Sequence, residues 1–164
     1  MPQPIPPALI FHLALIAAVW AALAASHPVA DHWMQTAHQA THKDLPGWVG
    51  RLACARHVAT YTATNGAFLA PVIAAGYMWT GHMIVSPVQL AAGLAVSAIT
   101  HYVADRRLPL RRIAEAVGSG GYFQHNAKPL ADGRFEYGPG SGAFELDQAW
   151  HKGWLWVATA IIAL

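Results

Sequence analysis

Charge is scarce in this sequence. Asp, Glu, Lys and Arg make up only 11% of 164 residues, while the AVILMFWYC set reaches 55%. An average soluble domain carries about 25% charged residues, so the composition is that of a chain that meets lipid. There is one cysteine, Cys54, which excludes an internal disulfide and removes any reason to place the chain in an oxidising compartment. A net charge of +2 is too small to argue for a nucleic-acid partner, and no specific nucleic-acid binding is predicted. GxSxG, GxxxxGK[ST], HExxH and paired CxxC motifs are all missing, which leaves serine-hydrolase, nucleotide-driven and zinc-finger readings without a starting point. Met1 to Pro7 contains no Lys or Arg. The positive n-region of a secretory signal is therefore absent, and the first apolar run is expected to be kept as a helix.

What is present is a set of apolar runs. Ala8 to Ala25 is uncharged and about long enough to cross a hydrocarbon core, with a plausible helical continuation to His42. Ala59 to Trp79 and Met83 to Ala104 are separated by Thr80, Gly81 and His82, which predicts an antiparallel hairpin. A shorter run closes the chain, from Leu146 to Leu164. The expected architecture is an all-α, integral membrane bundle of four transmembrane helices in one domain, residues 1–164, with helices at about 8–42, 57–79, 83–106 and 146–164. Residues 113–145 are Gly-rich and predict a flexible cytoplasmic flap, preceded by a short amphipathic helix in LPLRRIAEAVG.

Every Lys and Arg lies in or beside the two long connections, from Lys43 to Arg56, from Arg106 to Arg134, and at Lys152. The positive-inside rule then puts both connections in the cytoplasm and both termini outside, a multi-pass topology in the cell membrane. The tryptophans read as interface anchors and packing.

The informative pattern is a repeated pair. His27 and Asp31, His101 and Asp105, and Asp147 and His151 are each four residues apart, a spacing that puts both side chains on one helix face. The predicted topology brings all three pairs, and His57, to the cytoplasmic level. Ionisable groups there are costly unless solvated, paired or bound to a cation. Neutral imidazole with carboxylate suits a divalent zinc, manganese or iron ion, and carboxylates are often shared in hydrolytic two-metal sites. The candidate ligands are His27, Asp31, His57, His101, Asp105, Asp147 and His151, with Asp31, Asp105 and Asp147 also candidate catalytic groups. Arg106 and Arg107 could hold an anionic head group.

Plainer roles stay open. Asp105 can pair with Arg106 or Arg107, Asp147 can cap its helix, and His27 or His101 can serve as helix C-terminal cations. His12, His82 and His125 are expected to be structural, while His38 and His42 extend a polar face. Cys54, near Arg51, Arg56 and His57, is expected to be inert.

The strings HPVADHWMQT (27–36), HVATY (57–61), THYVADRR (100–107) and LDQAWH (146–151) resemble an uncharacterised family of small bacterial membrane proteins, a domain-of-unknown-function family with HxxxDxxxQ, HxxxD and DQxxH motifs. The resemblance touches all four helices in order. It implies the membrane architecture and adds Gln35 and Gln148 as possible substrate contacts, but it brings no reaction with it. The long Gly-rich stretch before LDQAWH departs from the family's pattern. The motifs are also loosely similar to those of membrane-bound metal-dependent hydrolases. Three functions follow as alternatives: a metal-dependent hydrolase acting on a lipid or phosphoester, a metal or proton carrier, and a non-catalytic membrane scaffold or partner.

Overall fold

The computed structural model describes residues 4–129, 135–136 and 138–164. The fold is all-α apart from one minimal hairpin. Helix α1 spans Pro7–Pro28, with Pro7 at its first turn, where the missing N–H is no loss. Near its end Pro28 removes one backbone donor, and the chain continues as a single π-helical turn, Val29–Trp33, closed by Met34 N donating to Val29 O at 3.1 Å. The continuous helix expected to 42 therefore stops here. Thr36 begins a separate helix, α2 (Ala37–His42), through a capping box in which Thr36 Oγ1 accepts from Gln39 N and Gln39 Oε1 accepts from Thr36 N.

After the Leu45-Pro46-Gly47 turn, α3 runs from Gly47–Thr80. It starts ten residues before the expected position, so the first connection is shorter and more ordered than its polarity suggested. Pro71 lies within this helix, and Gly81 ends it in the left-handed conformation, φ 76°. The hairpin link is 81–86 rather than three residues, because Pro87 opens α4 (Pro87–Asp105). Next come α5 (Leu108–Ala116), covering the predicted amphipathic stretch, and α6 (Gly120–Phe123). Strands β1 (Lys128–Pro129) and β2 (Phe135–Glu136) pair antiparallel. Part of the expected flap, 130–134 and 137, lies outside the described residues. Helix α7 (Gly142–Ala163) is capped by Ser141, whose Oγ accepts from Phe144 N at 3.3 Å. It begins four residues before its predicted start.

The four long helices close a ring: α1 packs on α3 and α7, and α4 packs on the same two. Leu15, Val19, Leu23, Leu69, Leu155 and Ile162 fill one half of its axis. Gly93 lets α4 approach α7 closely, since a Cβ there would collide with Ile162. At the other end, α5 and α6 pack through Leu110, Ala114 and Phe123 against Ala104 and Ala143, forming a cap. Among the described residues two helical segments, Pro7–Trp33 and Pro87–Asp105, are long and apolar enough to cross a membrane.

Candidate metal centre

Between the apolar half and the cap, all four long helices turn His or Asp inward. The periodicity explains how. On α3, His57, Tyr61 and Asn65 follow at four-residue spacing and are all buried. Ser97, His101 and Asp105 do the same on α4, so each helix presents one polar stripe to the axis. His27 ends α1, Asp31 follows in the π turn, and Asp147 and His151 lie in the first half of α7.

His57 and His101 meet at the centre, their Nε2 atoms 3.0 Å apart. Both are 3.2 Å from Asp31 Oδ1 and 3.3 Å from Asp105 Oδ2. The other oxygen of Asp31 turns away to His27 Nε2, at 3.5 Å. His151 lies beside His101 and His27, with ring centroids 4.2 and 5.0 Å away, and its Nε2 is 3.5 Å from Asp147 Oδ1. Tyr61 covers His101 at 3.8 Å between centroids. His27, His57, His101, Asp105 and His151 are buried, Asp31 nearly so, and Asp147 is the open edge, with 26% of its side chain exposed.

Among the described residues three sets of donors come within 4.8 Å of one another: His27, His101 and His151; Asp31, His57 and His101; and Asp105, Asp147 and His151. All seven predicted ligands are thus gathered. Tetrahedral coordination with bonds of about 2.0 Å requires donors about 3.3 Å apart, close to the 3.0–3.2 Å separations within the trio of His57 Nε2, His101 Nε2 and Asp31 Oδ1. The buried atoms His27 Nε2, His151 Nε2 and Asp105 Oδ2 make no well-aligned hydrogen bond and meet their partners only in the 3.3–3.5 Å contacts described above. Such atoms are expensive in a closed interior unless a cation takes their lone pairs.

The plainer roles can be checked directly. Ser141, not Asp147, caps α7. Asp105 takes neither neighbouring arginine as its partner: Lys43 Nζ reaches its Oδ1 at 2.7 Å. Arg106 instead donates to the carbonyls of Lys43 and Leu45, at 2.5 and 2.7 Å, and clamps the turn that carries the lysine. Arg107 forms a surface pair with Asp44 at 3.4 Å. Of the predicted glutamines, Gln35 Nε2 donates to Asp31 O at 3.2 Å and lies 3.4 Å from His57 Nε2, while Gln148 Nε2 donates to Asp147 Oδ2 at 3.4 Å. Both border the acids.

His12, His82 and His125 are exposed, and His38 and His42 stack on each other in α2 at 4.1 Å. Cys54 is buried with Sγ 3.8 Å from Tyr102 O. Sequence reasoning passed over Lys43, Tyr61, Ser26, Asn65 and Ser97. Ser26 Oγ donates to Asn65 Oδ1 at 2.6 Å and Tyr61 Oη lies 3.4 Å from Ser97 Oγ, which makes a polar layer beneath the histidines. For Tyr61, Asn65 and Ser97 the four-residue spacing from His57 and His101 was the available signal. Lys43 had none, because its contact spans 62 residues of chain.

Comparisons with protein-family models, curated proteins and solved structures find no match to this chain.

Proposed function

We propose that this chain is a four-span integral membrane protein, akin to the small bacterial family it resembles, that binds divalent zinc, manganese or iron in the His/Asp cluster and hydrolyses a lipid phosphoester at the cytoplasmic face. The observation that carries this reading is the central donor set: the imidazole nitrogens of His57 on α3 and His101 on α4, 3.0 Å apart, each within 3.2–3.3 Å of a carboxylate oxygen of Asp31 in the π turn and of Asp105 on α4. A divalent cation there would polarise a phosphoryl oxygen and lower the pKa of a water. The chain's own residues hold it, and Asp147, on the open edge, is placed to take a proton from a water entering from that side.

Several features support the membrane setting. No Asp, Glu, Lys or Arg occurs before Asp31, between His57 and Ala104, or after Lys152. Exposed Trp48 and Trp79, 80% and 88% accessible, mark the two ends of α3. Their separation, 31 residues at about 1.5 Å, is about 46 Å, close to the full thickness of a bilayer with its headgroups. Arg56 and Lys152, exposed beside buried His57 and His151, support a cluster at headgroup level. A lipid substrate fits that level better than a soluble one. On the outer side of the same helices an apolar groove of about 780 Å³ runs from Ala55 and Val103 to Gly66 and Leu94, a shape suited to an acyl chain.

Against a carrier stands the apolar plug of Leu15, Val19, Leu69, Leu155 and Ile162, which leaves the axis beyond the polar layer without ligands. A scaffold would need packing alone, and buried imidazole and carboxylate atoms held only by 3.3–3.5 Å contacts weaken packing. The test is elemental analysis of protein purified in nanodiscs, followed by assays on a phospholipid phosphoester in vesicles and on a soluble aryl phosphoester. Stoichiometric transition metal with turnover of the vesicle substrate is expected. Metal-free protein after equilibration with zinc, manganese and iron would refute the metal reading, and bound metal without turnover of either ester would refute the hydrolase.

A further inference from the structure

We propose that the apolar groove on the outer face of α3 and α4 holds one acyl chain of an anionic phospholipid of the cytoplasmic leaflet, whose phosphate lies against Arg51. The inference rests on the membrane reading above and is independent of any metal in the cluster.

The groove is lined on α3 by Ala55, Ala59, Ala63 and Gly66 and on α4 by Leu94 and Val103. Thr62 also borders it, but its hydroxyl donates to Val58 O at 2.8 Å and so asks nothing of an occupant. From Ala55 to Gly66 the groove follows 11 residues of helix, about 16 Å at about 1.5 Å each. That is half of a hydrocarbon core about 30 Å thick, the depth of one leaflet. Gly66 stands 18 residues beyond Trp48, about 27 Å, which puts it near the middle of the span that Trp48 and Trp79 mark.

Charge selects the lipid. Trp48, Arg51 and Leu52 precede Ala55 at intervals of three and four residues, so they carry the groove's face up to headgroup level. All three are exposed, and the Arg51 guanidinium lies 5.7 Å from the centre of the Trp48 ring. The nearest acids are committed elsewhere, Asp44 to Arg107 and Asp105 to Lys43, and among the described residues no ion pair takes Arg51. A guanidinium above an apolar channel complements a phosphodiester above an acyl chain. Exposed Arg56 adds a second positive charge at this level. A smaller groove continues from Gly66 to Tyr77 and Met83 in the outer half, where no Lys or Arg lies between Arg56 and Arg106 to select a headgroup.

This lipid is a resident and not the substrate. His57 and His101 are buried toward the axis, whereas Val58 and Tyr102, their neighbours in sequence, line the groove. The α3 and α4 backbones thus stand between groove and cluster, and the open edge of the cluster is Asp147 on α7.

The experiment offers full-length protein in detergent equal amounts of phosphatidylglycerol and phosphatidylcholine and counts retained lipid by native mass spectrometry. One phosphatidylglycerol per chain is expected, preferred about fivefold over phosphatidylcholine. Arg51→Gln should bring the two lipids to parity, Ala63→Leu should fill the groove and lose both, and Arg112→Gln, an exposed cation on α5, should change neither. No retained lipid, equal retention by the unmodified protein, or an undiminished preference in Arg51→Gln would overturn the assignment. A lipid-free dimer that Ala63→Leu dissociates would overturn it too, and would give both grooves to a second copy of the chain. Protein that stays monodisperse in buffer without detergent or lipid would overturn the membrane reading itself.

Discussion

Removing a positive charge from this protein should tighten its hold on a metal. Lys43 Nζ is 2.7 Å from Asp105 Oδ1, and the two side chains are only 14% and 5% exposed. An ion on the other oxygen, Oδ2, would sit roughly 5 Å from Nζ given ordinary carboxylate geometry and bonds of about 2.0 Å. At that separation the repulsion between a unit charge and a divalent ion is about 2 kcal/mol with water-like screening and about 7 kcal/mol at an effective dielectric of about 20. Lys43 also competes with the ion for the same carboxylate. Lys43→Met removes both effects, so the lower bound corresponds to a Kd tighter by about tenfold or more. The cost appears in the metal-free form, where Asp105 loses its buried partner and stability should fall by about 3 kcal/mol. The thermal transition of the variant should therefore be lower than wild type without metal and recover more on adding it. Competition against a fluorescent chelator, for zinc and for manganese, measures the affinity change. An unchanged or weaker Kd in Lys43→Met would mean that Asp105 is not a ligand, and the lysine would then be the true partner of that acid.

Two further predictions concern topology and the clamp behind the site. A cysteine probe at Met83, in the 81–86 link, should be modified by an impermeant reagent from outside the cell, whereas one at Val117, after α5, should react only after permeabilisation; both positions are exposed. The reverse pattern would refute the orientation taken from the Lys/Arg distribution. Gly50→Ala should destabilise the protein by about 1–3 kcal/mol, because the new methyl would overlap the Leu45 carbonyl and crowd the Arg106 guanidinium that holds the Lys43 turn. Thermal unfolding in detergent checks it, and an unaltered transition would show that the turn can move without loss.

The sequence by itself determined the kind of helices and the identity of the cluster. Long apolar runs free of charge favour helices, because a helix pairs its backbone groups within the segment wherever they are buried. A four-residue interval puts His27 with Asp31, His101 with Asp105 and Asp147 with His151 by local geometry alone. Helix ends were less legible. Thr36, Pro46 and Ser141 each moved a boundary through a cap or a fixed backbone angle, and such signals compete with hydrophobic pattern over only a few residues. Tertiary structure alone decided which oxygen of Asp31 faces which histidine, that Lys43 rather than Arg106 meets Asp105, and that Arg106 holds the turn behind it. Those outcomes depend on how the four helices rotate about their axes and on where the chain returns after long connections. Periodicity records which residues share a face; only packing sets what that face meets.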